Sequence, residues 1–134
     1  MAITGACLCG TVRFELTGAF EVVNYCHCSR CRRWTGSAFA TVAHARLSDF
    51  RYVAGEDCIQ TFVPEGWNRR WFCRNCGSPL PALNEEDGEV GIPAGLLDGD
   101  PLIRPSLHLM VESKAPWYEI CDKADRYDEF PDGW

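Results

Sequence analysis

A small, mainly β fold is what this 134-residue chain predicts. Apolar residues alternate with polar ones in short runs, the pattern of strands buried on one face. Glycine and proline interrupt those runs every ~8–12 residues, the spacing of small all-β domains. No stretch shows twelve residues of clean helical periodicity, so one or two short helical turns are the most the sequence supports.

Taken in order, Val12, Phe14 and Leu16 alternate with Arg13 and Glu15 as the first clear strand. Phe20–Tyr25 and Ala38–Ala43 come next, and between them Ser29–Trp34 has room for a turn or two of helix. Phe50–Ala54, Ile59–Val63 and Arg70–Cys73 continue the series, followed by Val90–Ile92, Leu107–Val111 and Trp117–Ile120. Gly18, Gly36, Gly55, Pro64-Glu65-Gly66, Pro79, Asp87-Gly88, Pro101 and Pro105 punctuate them. The acidic residues 121–134 read as an irregular tail, with Tyr127, Phe130 and Trp134 pinning it to the body. One domain over residues 1–134 is expected.

The net charge of −6 hides a division along the chain. Residues 1–84 hold nine basic and six acidic side chains, whereas residues 85–134 hold four and thirteen. An acidic protein has little affinity for phosphate backbones, so no nucleic-acid partner is expected. No apolar run approaches the ~20 residues that cross a bilayer, so no membrane partner is expected either. Residues 1–5 lack a basic and apolar leader, which points to a cytoplasmic protein.

Seven of the nine cysteines fall into three clusters: Cys7/Cys9, Cys26/Cys28/Cys31 and Cys73/Cys76. An odd count without a leader argues for metal rather than disulfides. Cys-x-x-Cys at Cys73/Cys76 is half of a closed tetrahedral site, and either Cys7/Cys9 or two of the middle cysteines could complete it. Drawing on the middle cluster leaves no complete set elsewhere. Cys7, Cys9, Cys73 and Cys76 are therefore assigned to one structural Zn²⁺, stapling the β fold, and Cys26, Cys28 and Cys31 to a second. Cys58 and Cys121 stand alone and read as ordinary apolar residues. His27 lies between two ligating cysteines, so its side chain points away from the ion and suits a substrate contact better than a fourth ligand. His44 reads as structural, and His108 as core or cleft.

Three thiolates on zinc carry net negative charge, which makes the ion a poor activator of water. A fourth soft ligand, an incoming thiol, suits the open position better, and coordination would hold it deprotonated and nucleophilic. Arg30, Arg32 and Arg33 flank the middle cluster, and Arg69, Arg70 and Arg74 the third. They either offset thiolate charge or clamp substrate carboxylates.

Four motifs then fall in a familiar order. They are Gly-x-Cys-x-Cys-Gly-x-Val-x-Phe over Gly5–Phe14, Cys-His-Cys-x-x-Cys-Arg over Cys26–Arg32, Gly-Ser-Ala-Phe over Gly36–Phe39, and Phe-Cys-x-x-Cys-Gly-Ser over Phe72–Ser78. With Ala94–Asp98, His108 and Lys114–Trp117, the chain resembles the glutathione-dependent formaldehyde-activating enzyme family, also called centromere protein V-like, over about residues 3–120. The resemblance implies a zinc-stapled complex β fold like that of Rab-interacting zinc proteins, two zinc ions distributed as above, and a carbon–sulfur lyase. In such an enzyme glutathione, or a similar thiol, enters the open position on the Cys26/Cys28/Cys31 zinc and adds to formaldehyde or another aldehyde. Arg30, Arg32, Arg33 and Lys114 become candidates for its carboxylates, and Asp98 and His108 for proton transfer. A monomer or homodimer is expected. A zinc enzyme with another small substrate, or a zinc-stabilised binding module without catalysis, are the competing readings.

Overall fold

In the structure, a computed structural model describing residues 2–134, the alternating runs become strands. In chain order the elements are β1 (Ile3–Ala6), β2 (Arg13–Leu16), β3 (Val22–Cys26), α1 (Ser29–Thr35), β4 (Ala40–Arg46), β5 (Phe50–Ala54) and β6 (Ile59–Phe62). Then come β7 (Arg70–Cys73), β8 (Ala82–Asn84), β9 (Glu89–Pro93), β10 (Leu107–Leu109) and β11 (Asp125–Arg126). The expected mainly β fold with one short helix is what forms.

Strands β1, β2 and β5 make an antiparallel sheet. A second sheet runs β11–β10–β3–β4–β9–β8, parallel where β10 meets β3 and β11 and antiparallel elsewhere. Strands β6 and β7 form a separate hairpin. The core unites Phe14 and Leu16 of β2 with Val23, Ala43, Ala45, Val90 and Ile92 of the larger sheet. Alternation in Arg13–Leu16 turns Phe14 and Leu16 fully inward, and each such burial stabilises by about 1.5–3 kcal/mol. A smaller cluster of Cys7, Val12, Cys58, Cys73 and Leu80 ties the β1–β2 turn to the end of β7.

The structure corrects the sequence reading in three places. Trp117–Ile120 is not a strand: Pro116 and Trp117 form a turn, Tyr118–Ile120 follow without regular structure, and the Lys114 ammonium takes up the carbonyls of Ala115 and Tyr118. The run Leu107–Val111 stops at Leu109, where Met110 adopts φ 56° and turns the chain into a 3₁₀ turn. The tail is not irregular throughout: β11 pairs in parallel with β10, and the Tyr127 N–H donates to the His108 carbonyl at 2.9 Å. Among the described residues no helix is long and apolar enough to cross a membrane.

Candidate metal centre and cleft

Strand β3 delivers Cys26 to the sheet end, and the chain leaves extended through His27 to Cys28. Cys28 is the N-cap of α1: its Sγ accepts a hydrogen bond from the Cys31 N–H at 3.3 Å. That cap folds Cys31 back toward the other two, and the three sulfurs lie within 4.8 Å of one another. Gly36, at φ 67°, ends the helix in the left-handed region. Ala40, Trp67 and Met110 pack around the trio.

The other four cysteines meet although they lie far apart in sequence. Two tight turns present them, with the Gly10 N–H donating to the Cys7 carbonyl at 3.0 Å and the Gly77 N–H to the Cys73 carbonyl at 2.7 Å. The Leu8 N–H donates to Ser78 Oγ at 2.9 Å and clips one turn to the other. Cys7, Cys9, Cys73 and Cys76 have all four sulfurs within 4.8 Å of one another, with Cys7–Cys9 at 3.6 Å and Cys9–Cys73 at 3.8 Å. Four sulfurs each about 2.3 Å from a central ion stand about 3.8 Å apart. The quartet fits the size of a tetrahedral metal site, and none of the nine cysteines is in a disulfide.

Protonation follows this crowding. The hydrogen bond to Ser78 pulls the Cys76 thiol down to about 5, while burial pushes Cys73 up to about 11. In the trio, hydrogen bonds from Cys26 and Cys31 lower Cys28, while hydrogen bonds to Cys28 and Cys31, with burial, raise Cys26.

Behind the trio His27 and His108 are both fully buried. His27 Nε2 lies 2.8 Å from His108 Nδ1, and His108 Nε2 lies 3.0 and 3.1 Å from the two oxygens of Asp122. The carboxylate accepts from His108 Nε2–H, so His108 Nδ1 accepts and His27 Nε2 donates. His27 Nδ1 is then a buried lone pair without a partner among the described residues. Burial first, then the nearness of the His108 ring and of Lys114, depress His27 to about 4.

In front, Cys26 and Cys31 open into a cleft of about 1070 Å³. Trp34, Trp67 and Arg70 line it beside the trio, Glu85 and Glu89 line the same cleft, and Arg69 lines it while donating to Thr61 Oγ1 at 3.2 Å. The sequence-derived site residues therefore divide. The Arg30 guanidinium covers the Trp67 ring at 4.4 Å, Arg32 is half-buried with Nε unpartnered, and Arg33 is exposed. Lys114 is committed to two backbone carbonyls. Asp98 is exposed beside β1, accepting from Thr4 Oγ1 at 2.6 Å and paired with Arg13 at 3.5 Å. His108 stands behind the trio and Asp98 does not share the cleft. Sequence reasoning named Arg69 and Arg70 only with the third cluster. It missed Trp34 and Trp67, although each stands near a cysteine or basic motif in a chain with five tryptophans.

A mainly β fold with one four-cysteine and one three-cysteine cluster, the latter opening on a cleft, defines a protein with two sites that could each hold a metal ion. The chain belongs to the glutathione-dependent formaldehyde-activating enzyme family, whose model matches residues 2–113. It is 32% identical over 129 residues to a Halomonas elongata protein named as a candidate glutathione-dependent formaldehyde-activating enzyme, covering 90% of this chain and 82% of that one. Its fold is similar to the crystal structure of a Rhodobacter sphaeroides protein, with a TM-score of 0.57 and 33% identity, covering 72% of this chain and 89% of the other.

Proposed function

We propose that this chain is a zinc-dependent carbon–sulfur lyase that joins a small, carboxylate-bearing thiol such as glutathione to an aldehyde, and runs the reverse. The observation that carries this reading is the trio: three sulfurs converge on one point and present it to a cleft rather than to a fourth protein donor. Cys26, Cys28 and Cys31 would hold a zinc ion, which supplies a soft position where a thiol is deprotonated and kept nucleophilic. In the addition the thiol sulfur forms a bond to the aldehyde carbon, the C=O π bond breaks, and the thiol proton ends on the new hydroxyl. Arg69 and Arg70 bind the thiol's carboxylates from the cleft wall, Arg69 with the guanidinium donors not given to Thr61. Trp34 and Trp67 cover the apolar part of the ligand and keep water from the reacting carbon. The Asp122–His108–His27 chain holds β3 and β10 in register behind the trio, with His27 neutral. Nine free thiols suit a reducing compartment such as the cytosol.

The test is exchange of formaldehyde with S-hydroxymethylglutathione, followed by NMR on the metal-loaded protein. Glutathione-dependent acceleration is expected, and Cys28→Ser should abolish it. Serine caps helices well, so that variant keeps α1 while losing one of two zinc equivalents. Flat exchange with glutathione and with other small thiols would end the lyase reading.

A further inference from the structure

The C-terminal segment lies outside the family match, which stops at residue 113. It nevertheless builds part of the cleft. The Met110 N–H donates to the Glu129 carbonyl at 2.9 Å and the Val111 N–H to the Tyr127 carbonyl at 3.0 Å. Met110 itself packs against Cys26, Cys28 and Cys31, so residues 127–129 are tied to the rim of the trio. From there Phe130 and Trp134 both line the same cleft as Cys26 and Cys31. They remain 48% and 56% exposed, although each ring would gain from burial.

The wall they form has a measurable length. Cys26 pairs with Ala40 at one end of the β3–β4 ladder, and Val22 pairs with His44 at the other. The four residue steps from Val22 to Cys26 span about 13 Å of strand. The Trp134 ring stands edge-on to His44 at 5.8 Å, and His44 is fixed in turn by Glu89 and by Asn24 Oδ1 at 2.5 Å. The cleft therefore runs from beside the trio to His44, with Val42, Leu83, Phe130 and Trp134 as apolar lining among polar side chains that include Glu85 and Glu89, and it is larger than formaldehyde needs.

We propose that Phe130 and Trp134 are specificity-determining residues that receive an extended apolar substituent on the adduct carbon. The favoured aldehydes are then those with a medium-length apolar chain rather than formaldehyde. This rests on the thiol–aldehyde reading above, since the thiol end of the ligand occupies the trio's side of the cleft. Arg69 and Arg70 supply the complementary charge for that end, and the tail supplies the apolar half.

The experiment is calorimetric titration of the zinc-loaded full chain with S-methylglutathione and S-hexylglutathione, which mimic the adducts of formaldehyde and of a longer aldehyde. The hexyl compound should bind at least about tenfold more tightly, since five further methylenes find apolar surface. The Phe130→Ala/Trp134→Ala variant should bring the two within about threefold of each other by weakening only the hexyl compound. Phe130→Leu/Trp134→Phe should restore most of the preference, with urea unfolding confirming that each variant is folded. Methyl binding without a hexyl advantage, or a preference that survives the alanine variant, overturns this proposal alone. Binding of neither compound overturns it together with the glutathione reading.

Discussion

His27 shows how a single residue inside a ligand motif serves the fold. Extended backbone between Cys26 and Cys28 sends its ring away from the sulfurs and into a pocket of Phe39, His108 and Tyr118. Burial, then the nearness of the His108 ring and of Lys114, hold its pKa at about 4, with only Asp122 favouring protonation. A free histidine protonates near 6.5. Between those values the unfolded chain carries a proton that the folded chain lacks. Stability should therefore fall as pH drops from about 6.5, and that loss is complete below about 4. One such proton gives a slope of at most about 1.4 kcal/mol per pH unit. Comparing urea unfolding of the metal-loaded wild type and His27→Gln across pH 4–7 isolates it. Wild type should lose stability more steeply with acid, and parallel profiles would show that His27 is already charged in the fold.

At the level of elements, the helix that carries Cys31 has only seven residues, too short to persist by propensity. Its ends fix it: Cys28 caps the start, and at the other end the Gly36 N–H donates to the Arg32 carbonyl at 2.8 Å. A Cβ on Gly36 would touch nothing, so Gly36→Ala should cost only the left-handed backbone strain, about 1 kcal/mol. Gly55 is a different case, because a Cβ there would stand 2.2 Å from the Thr11 carbonyl oxygen at φ 75°. Gly55→Ala should cost clearly more, as the β1–β2 turn must shift. Equal urea midpoints for the two variants would contradict this ordering. The elements legible in the sequence were those whose own alternation declares a buried face, such as Arg13–Leu16 and Phe50–Ala54. Strands β1, β8 and β11 were not legible, since Ile3–Ala6, Ala82–Asn84 and Asp125–Arg126 are strands only through their partners. Trp117–Ile120 erred in the opposite direction, with apolar and aromatic content but no edge to pair with.

Across the whole molecule, the two cysteine clusters differ in what they connect, and the sequence carried that difference. Cys26, Cys28 and Cys31 are gathered by one cap and one turn of helix, so local spacing sufficed to group them. The quartet could be read only by elimination, and the cleft could not be read at all. Arg70 on β7, His44 on β4 and Trp134 in the tail share it through nonlocal pairing alone. The same difference governs metal loss. The trio's surroundings keep the β3–β4 and β3–β10 ladders when its ion leaves. The quartet joins residues 64 apart, Cys9 to Cys73, at the small core that holds the β1–β2 turn to β7. A structural zinc site contributes about 10–16 kcal/mol in isolated zinc modules, comparable with the 5–15 kcal/mol of an entire domain. Stepwise chelation of the zinc-loaded protein with EDTA should therefore release one equivalent with near-ultraviolet circular dichroism unchanged. The second equivalent should leave together with cooperative unfolding, and Cys73→Ser should unfold at far lower urea than Cys28→Ser. Release of both ions in one step with unfolding, or full retention of structure after both have gone, would show that the two clusters do not divide the work between cleft and scaffold.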